Sequence, residues 1–250
     1  MAEHTREHRS ALAAVEKKAL IAIAHRLPAA VNSDHLTALA LLAMALAGAG
    51  YALARWDVRS LWLVVVGLAL NWFGDSLDGT VARVRKVERP RYGFYVDHVL
   101  DIVGATFLFA GLAASGFMTP LIGLALLVAY LLVSGEVFLA TSVRGVFKMS
   151  FSGFGPTELR ILLAIGTIAL FRDPHVDLGV LGRPRLFDFG SLIAIAGMAV
   201  ALTVNVVRNA TELARLEPRP KTNSQLPTPN PQARDEIGSW ESGVDRSVRL

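Results

Sequence analysis

The stretch that decides the fold reads Asp75-Ser-Leu-Asp78-Gly79-Thr-Val-Ala82-Arg83 and, after nine further residues, Gly93-Phe-Tyr-Val-Asp97-His-Val-Leu-Asp101. Successive residues of an α-helix are rotated by about 100°, so the acids and small residues of the first half share an arc of about 100°. In the second half, a glycine and two aspartates recur every four residues and form a stripe about 80° wide. Two helices joined by a short turn would therefore direct four carboxylates at one point.

The neighbourhood of these acids predicts a metal site. Apolar runs flank the stretch at 61–74 and 102–117. An unpaired carboxylate near hydrocarbon costs several kcal/mol, so a group of four needs compensating positive charge. Hard oxygen ligands suit Mg²⁺, Mn²⁺ or Ca²⁺, and two such ions roughly 3.5–4 Å apart are a known device for displacement at phosphorus. We therefore predict a phosphoryl-transfer site whose metal ligands are Asp75, Asp78, Asp97 and Asp101.

The same stretch resembles the signature of the CDP-alcohol phosphotransferase family, Asp-x-x-Asp-Gly-x-x-Ala-Arg, a spacer, then Gly-x-x-x-Asp-x-x-x-Asp. All eight signature residues are present with the correct spacing inside each half, over 27 of the 250 residues. The spacer between Arg83 and Gly93 has nine residues, one more than the usual pattern. We interpret the extra residue as a loop insertion, because both helical stripes remain intact.

The resemblance implies an enzyme that transfers a substituted phosphoryl group from a CDP-linked donor to an alcohol and releases CMP. It implies that the four aspartates hold two divalent cations, Mg²⁺ or Mn²⁺, and that Asp101 is the general base for the acceptor hydroxyl. CDP-diacylglycerol is the expected donor, and a small alcohol or phosphorylated alcohol is the expected acceptor. A homodimer is implied as well.

Donor contacts are expected in two places. The signature itself supplies Gly79, Ala82, Arg83 and Gly93. Many family members also carry Pro-Asn-x-x-Thr before the first span, and residues 33–37 share only the threonine of that pattern. Thr37 and Asp34 are therefore further donor candidates, with a plain helix cap as the alternative for Asp34.

Acceptor contacts are expected in the second half of the chain. Basic side chains there would form a phosphate-binding patch, although ordinary charges flanking a membrane span are an alternative. An acid near a helix start would select a cationic or hydroxyl-rich acceptor, or would only favour the helix dipole. The candidates are Arg144, Lys148, Glu158 and Arg160. Glu136 is a separate intramembrane acid and a functional candidate by its location.

Composition predicts a membrane protein. The chain is 53% hydrophobic with a mean hydropathy of +0.45, too apolar for an ordinary soluble domain. It has no cysteine, which excludes disulfides and thiolate metal sites. The net charge of +4 resides mainly in basic residues beside apolar spans, as contact with a lipid bilayer predicts, and we expect no nucleic-acid partner.

The apolar runs predict an all-α, polytopic membrane protein with six transmembrane helices, at 36–54, 61–83, 93–116, 119–143, 158–171 and 189–207. Residues 10–26 form a predicted amphipathic helix that lies in the membrane interface or, alternatively, packs on the enzyme. We divide the chain into a juxtamembrane segment at 1–30, a catalytic domain at 31–214 and a disordered cytoplasmic tail at 215–250.

Lysine and arginine predict the orientation. Counted up to residue 221, the side holding the N-terminus, the spacer and residues 144–160 and 208–221 carries 17 of these residues, against 5 on the other side. The positive-inside rule then predicts an inner-membrane protein with both termini and the active site in the cytoplasm.

Three other functions are compatible with the sequence. The first uses CDP-choline or CDP-ethanolamine as donor and diacylglycerol as acceptor. A cation transporter would use intramembrane acids to bind the transported ion. An inactive membrane scaffold would keep the fold without the activity.

Overall fold

The computed structural model describes residues 11–144 and 156–218. Its main elements are seven α-helices within those ranges: α1 (Ala11–Arg26), α2 (Ser33–Leu53), α3 (Leu61–Val84), α4 (Pro90–Ala114), α5 (Pro120–Arg144), α6 (Pro156–Ala169) and α7 (Leu186–Leu216). Short 3₁₀ turns occur at Val58–Ser60 and Gly179–Leu181. The described ranges contain no strand beyond an isolated bridge between His175 and Arg185. The all-helical fold class is confirmed for these residues.

Five helices of the described chain are long and apolar enough to cross a membrane, namely α2, α3 with its preceding 3₁₀ turn, α4, α5 and α7. The predicted fifth span corresponds to α6, which has 14 residues. That is shorter than the about 17–25 residues of a typical transmembrane helix. The count of six spans therefore stays a prediction, whereas a polytopic helical membrane protein is supported.

The first span begins with a well-defined cap. Asn32 accepts a hydrogen bond from the backbone N–H of His35 at 2.9 Å, and His35 Nδ1 accepts one from the N–H of Asn32 at 3.4 Å. This reciprocal capping box satisfies two backbone donors that the helix itself leaves unpaired. The cap of α2 is therefore Asn32, and Asp34 lies in the first turn instead.

Helices α2, α3 and α4 pack closely because glycines lie where they cross. A Cβ on Gly67 of α3 would be 2.7 Å from the Ala43 carbonyl oxygen of α2, closer than real side chains come. A Cβ on Gly111 of α4 would overlap the backbone of Gly48 in α2. The glycines allow backbone-to-backbone contact, as in other membrane helix pairs.

Helix α1 packs on α2 and α3 through one face. Leu20 and Ala24 are buried in a cluster with Leu36, Leu77 and Val81 of α2 and α3. The alternative predicted for α1, packing on the rest of the chain, is thus observed for this face. Its location in the membrane interface stays a prediction.

A tight turn joins the two halves of the signature. Lys86 has a φ of +56°, and the N–H of Val87 bonds to the Ala82 carbonyl at 3.0 Å. This is a Schellman termination in which lysine occupies the left-handed position that glycine usually fills. Pro90 is the first residue of α4, where proline is well tolerated, so α4 begins three residues before the predicted start. The nine residues between Arg83 and Gly93 cover the end of α3, this turn and the start of α4, and the loop insertion within them stays a prediction.

The compact unit that contains the signature extends to Asn209. A second unit begins at Ala210, and its described part is the last turns of α7 and two further residues. Residues 1–10 and 219–250 lie outside the described residues, so the predicted tail and the boundaries of the three domains stay predictions.

Candidate functional site

Three of the four predicted acids converge. Asp75 of α3 and Asp97 and Asp101 of α4 each present a carboxylate oxygen, and these oxygens lie within 4.8 Å of one another. All three residues are partly buried. The helical spacing explains the convergence, because residues four apart on α4 lie on one face, which meets α3 after the turn. A set of hard carboxylate oxygens at this separation fits a divalent cation such as Mg²⁺ or Mn²⁺.

Asp78 lies beside this group with different contacts. Its Oδ2 accepts a hydrogen bond from the Thr37 hydroxyl at 2.7 Å, and its Oδ1 accepts the backbone N–H of Gly79. It lines the same cavity as the other three acids. Its role as a fourth metal ligand stays a prediction.

A cavity of about 120 Å³ opens over the four acids. Helices α2 to α6 all contribute residues to its wall, which has polar and apolar parts. The polar lining beyond the aspartates consists of Thr37, Asn71, Tyr130 and Arg160. Apolar lining residues include Leu41, Met44, Phe109 and Leu163. A ligand with a charged head and an apolar body matches such a lining.

Arg160 is an acceptor candidate that the structure brings into the acid site. Its Nη2 donates to Asp75 Oδ2 at 2.5 Å, and its Nε donates to Asn71 Oδ1 at 2.7 Å. The guanidinium therefore supplies positive charge where three carboxylates meet. Because Arg160 contacts Asp75, an anion bound by Arg160 would lie next to the predicted metal ligands.

The structure does not describe the side chains of the other three acceptor candidates. Lys148 lies outside the described residues, and of Arg144 and Glu158 only the backbone is described. Their roles stay predictions. A further intramembrane acid, Glu136 on α5, accepts a hydrogen bond from Asn209 on α7 at 2.6 Å and is not among the residues that line the cavity.

Of the donor candidates, Thr37 alone is among the residues that line the cavity. Asp34 is exposed and pairs with Arg89. This hydrogen bond raises the pKa of Arg89, whose guanidinium also lies 4.1 Å from the ring centre of Tyr92. Asp34 thus links the start of α2 to the turn before α4.

The signature residues between the acids lie outside the cavity wall. Arg83 donates to the Thr80 hydroxyl at 3.2 Å, and its Nη1 lies 3.3 Å from where a Cβ of Gly79 would stand. Ala82 is partly buried, and Gly93 is exposed with no atom within 4 Å of its Cβ position. Donor binding by these four residues stays a prediction.

Two polar residues of the cavity were not predicted from the sequence. Asn71 had a usable signal, since it is the one amide in the apolar run 61–74 and lies one helical turn before Asp75. Tyr130 had none, because an aromatic residue in an apolar helix most often serves only packing.

Comparison with known proteins agrees with these features. The sequence model of the CDP-alcohol phosphatidyltransferase family matches residues 31–207. An archaetidylinositol phosphate synthase of Methanothermobacter thermautotrophicus is 35% identical over 105 residues, which are 42% of this chain and 51% of the relative. The chain therefore spans about half the length of this curated relative.

Proposed function

The chain belongs to the CDP-alcohol phosphatidyltransferase family, and from this premise we propose an integral membrane enzyme of phospholipid biosynthesis. It transfers a phosphatidyl group from a CDP-linked lipid to an alcohol and releases CMP. The observation that carries this proposal is the convergence of Asp75, Asp97 and Asp101 at a cavity with both polar and apolar walls.

The proposed cation site consists of four carboxylates, namely Asp75, Asp78, Asp97 and Asp101. Two divalent cations, Mg²⁺ or Mn²⁺, would supply Lewis-acid stabilisation of the negative charge on the donor pyrophosphate. Thr37 holds the carboxylate of Asp78 by its 2.7 Å hydrogen bond and so restricts the orientation of that ligand.

Asp101 is the proposed general base. It lies one helical turn beyond Asp97 and lines the cavity, so an acceptor hydroxyl bound there is within reach of its carboxylate. The Asp101 carboxylate takes the hydroxyl proton as the acceptor oxygen attacks the phosphorus of the donor. CMP then carries away the electrons of the broken phosphorus–oxygen bond.

The lining favours particular substrates. Apolar side chains of α2, α4 and α6 suit an acyl or alkyl lipid, so CDP-diacylglycerol or a close analogue is the proposed donor. Arg160 is a cation in the wall that would meet an acceptor phosphate. The relative is named for synthesis of archaetidylinositol phosphate, which supports a phosphorylated polyol as the acceptor class.

We propose six spans, with α6 as the short fifth one and α1 at the membrane interface. The lysine and arginine distribution supports an active site and both termini on the cytoplasmic side of the inner membrane. Arg83, Gly79, Ala82 and Gly93 keep their proposed donor role at the cytoplasmic end of the signature. A homodimer is proposed on family membership alone.

The test is CMP release by the full chain in detergent, with Mg²⁺ or Mn²⁺, CDP-diacylglycerol and a panel of free and phosphorylated alcohols. Asp101→Asn should lower the rate at least about 100-fold, because general-base catalysis contributes at least that factor. The matched control is Asp177→Asn in an exposed loop, where asparagine keeps the acceptor oxygen that caps Gly179 at 2.9 Å.

Each outcome has a defined meaning. Release that needs the metal and one acceptor, and is lost in Asp101→Asn but kept in Asp177→Asn, supports the proposal. Turnover only with CDP-choline or CDP-ethanolamine plus diacylglycerol would replace the proposed donor. A folded protein that releases no CMP from any donor would favour a scaffold or a cation transporter.

A further inference from the structure

Asn71 is a buried amide that joins three helices. Its side chain is on α3 and the residue is 6% exposed. Its Nδ2 donates to the Ala40 carbonyl of α2 at 3.0 Å, and its Oδ1 accepts from Arg160 Nε of α6 at 2.7 Å. A donor on one side and an acceptor on the other fix the orientation of the amide, because a flipped amide would oppose like groups at both contacts.

The contact with Asn71 determines where the charge of Arg160 lies. A guanidinium is planar, and holding Nε on Asn71 while Nη2 bonds to Asp75 at 2.5 Å fixes the plane of the group. The Arg160 side chain is 15% exposed and that of Asp75 is 25% exposed, so water screens this ion pair only partly.

The same carboxylate belongs to the acid group. Asp75 presents an oxygen within 4.8 Å of oxygens of Asp97 and Asp101. A divalent cation at these three residues and the guanidinium of Arg160 are both attracted to Asp75, and they repel each other at short range. The guanidinium is therefore a resident counter-ion of the acids.

We propose that Asn71 is a positioning residue that holds the Arg160 guanidinium on Asp75, and that Arg160 thereby weakens divalent-cation binding to the acid group when no substrate is present. The inference rests on one part of the proposed function, namely that the acid group binds divalent cations.

The first measurement is Mn²⁺ binding to the full chain in detergent, followed by the electron paramagnetic resonance signal of free Mn²⁺, without donor or acceptor. Arg160→Gln removes the competing charge and keeps a polar side chain of similar reach. Its dissociation constant for Mn²⁺ should fall at least about tenfold, since a unit charge a few ångströms from the cation contributes more than that factor. An equal or larger dissociation constant overturns the inference.

The second measurement asks whether Asn71 acts through Arg160. Asn71→Leu keeps the volume of the side chain but frees Arg160 Nε. With Arg160 present, Asn71→Leu should lower the Mn²⁺ dissociation constant at least about twofold. That factor corresponds to the smallest interaction energies measured between contacting residues. In the Arg160→Gln background, Asn71→Leu should have no effect, and the same change in both backgrounds would contradict a positioning role. Asn71→Leu also tests the inference by itself if Arg160→Gln does not fold.

A structural control separates cation affinity from stability. The hydroxyls of Tyr51 and Thr167 are 2.6 Å apart and join α2 to α6 away from the acids. Thr167→Val removes this buried contact, so it should lower thermal stability and leave the Mn²⁺ dissociation constant unchanged. A control that changes Mn²⁺ affinity as much as Asn71→Leu overturns the assignment. Absence of Mn²⁺ binding to the unchanged chain would overturn the proposed cation site and this inference with it, whereas binding that Arg160→Gln leaves unchanged overturns the inference alone.

Discussion

The four aspartates of the signature are chemically identical and have different surroundings. Asp75 pairs with Arg160, Asp78 accepts from Thr37 and Gly79, and Asp97 and Asp101 complete the three-carboxylate group. The neighbours of each acid therefore decide how its carboxylate is oriented. A residue that orients an acid is therefore expected to matter almost as much as the acid.

Thr37→Val tests this at the residue scale. The Thr37 hydroxyl has one proton and two acceptors in reach, Asp78 at 2.7 Å and the Ser33 carbonyl at 3.0 Å. The carboxylate is the stronger acceptor, so valine should release Asp78. We expect the Mg²⁺ concentration for half-maximal CMP release to rise about tenfold, as for other residues that orient metal ligands.

Thr37→Ser is the matched control for that prediction. Serine keeps the hydroxyl and the reach to Asp78, and it should stay within about twofold of the unchanged chain. If Thr37→Ser is as impaired as Thr37→Val, the methyl group rather than the hydrogen bond is responsible.

At the scale of elements, crossing helices position the acids. Asp75 and Asp97 lie on opposite sides of the turn after α3, and their separation depends on how α3 and α4 both pack on α2. Glycines on α2, α3 and α4 allow that close packing, since a side chain at Gly67 or Gly111 would meet backbone atoms. Backbone atoms cannot move aside as a flexible side chain does, so these positions tolerate little added volume.

Gly111→Ala should therefore destabilise the helix bundle. The new methyl group would overlap the backbone of Gly48, and overpacking of this kind costs typically about 1–3 kcal/mol. The measurement is thermal unfolding of the detergent-purified chain. Gly197→Ala on α7 is the control, because no atom lies within 4 Å of its Cβ position. That change should be neutral or stabilise by up to about 1 kcal/mol, since alanine favours a helix. Equal stability of both variants would show that α2 and α4 do not need this close approach.

At the scale of the whole molecule, the sidedness of the membrane decides which substrates reach the acids. In the proposed topology, a water-soluble acceptor would reach the site from the side that the basic turn at residues 85–89 faces, and a lipid donor would enter from the bilayer. The proposed cytoplasmic orientation rests on the distribution of lysine and arginine up to residue 221, with 17 on one side and 5 on the other.

Cysteine labelling measures that orientation directly, because the chain contains no cysteine. Lys86 is in the exposed turn between α3 and α4, and Val180 is fully exposed in the loop before α7. In inside-out membrane vesicles, a maleimide that cannot cross the membrane should label Lys86→Cys and not Val180→Cys. Vesicles of the opposite orientation should give the reverse pattern. Labelling of Val180→Cys alone in inside-out vesicles would invert the proposed topology.

Much of the fold follows from the sequence because the signals are local. The apolar runs predict α2 to α5 to within about three residues, and the signature spacing predicts the acid stripes on α3 and α4. The predicted span at 189–207 lies within α7, which extends from Leu186 to Leu216. The short helix α6 is harder to predict as a membrane span, because its 14 residues are fewer than a membrane crossing usually needs. Helix α4 begins at Pro90, because proline is well tolerated at the first position of a helix. The predicted start at residue 93 lies three residues later.

The helical membrane fold, the family and the positions of the four acids follow from the sequence, since hydropathy and helical rotation are properties of neighbouring residues. The contacts of Arg160 with Asp75 and Asn71 follow only from the folded structure, because they join α3 to a helix 85 or more residues further along the chain. The same holds for Thr37 and Asp78, which are 41 residues apart. Such contacts depend on how helices cross, and helix crossing is determined by packing between distant surfaces rather than by any local pattern.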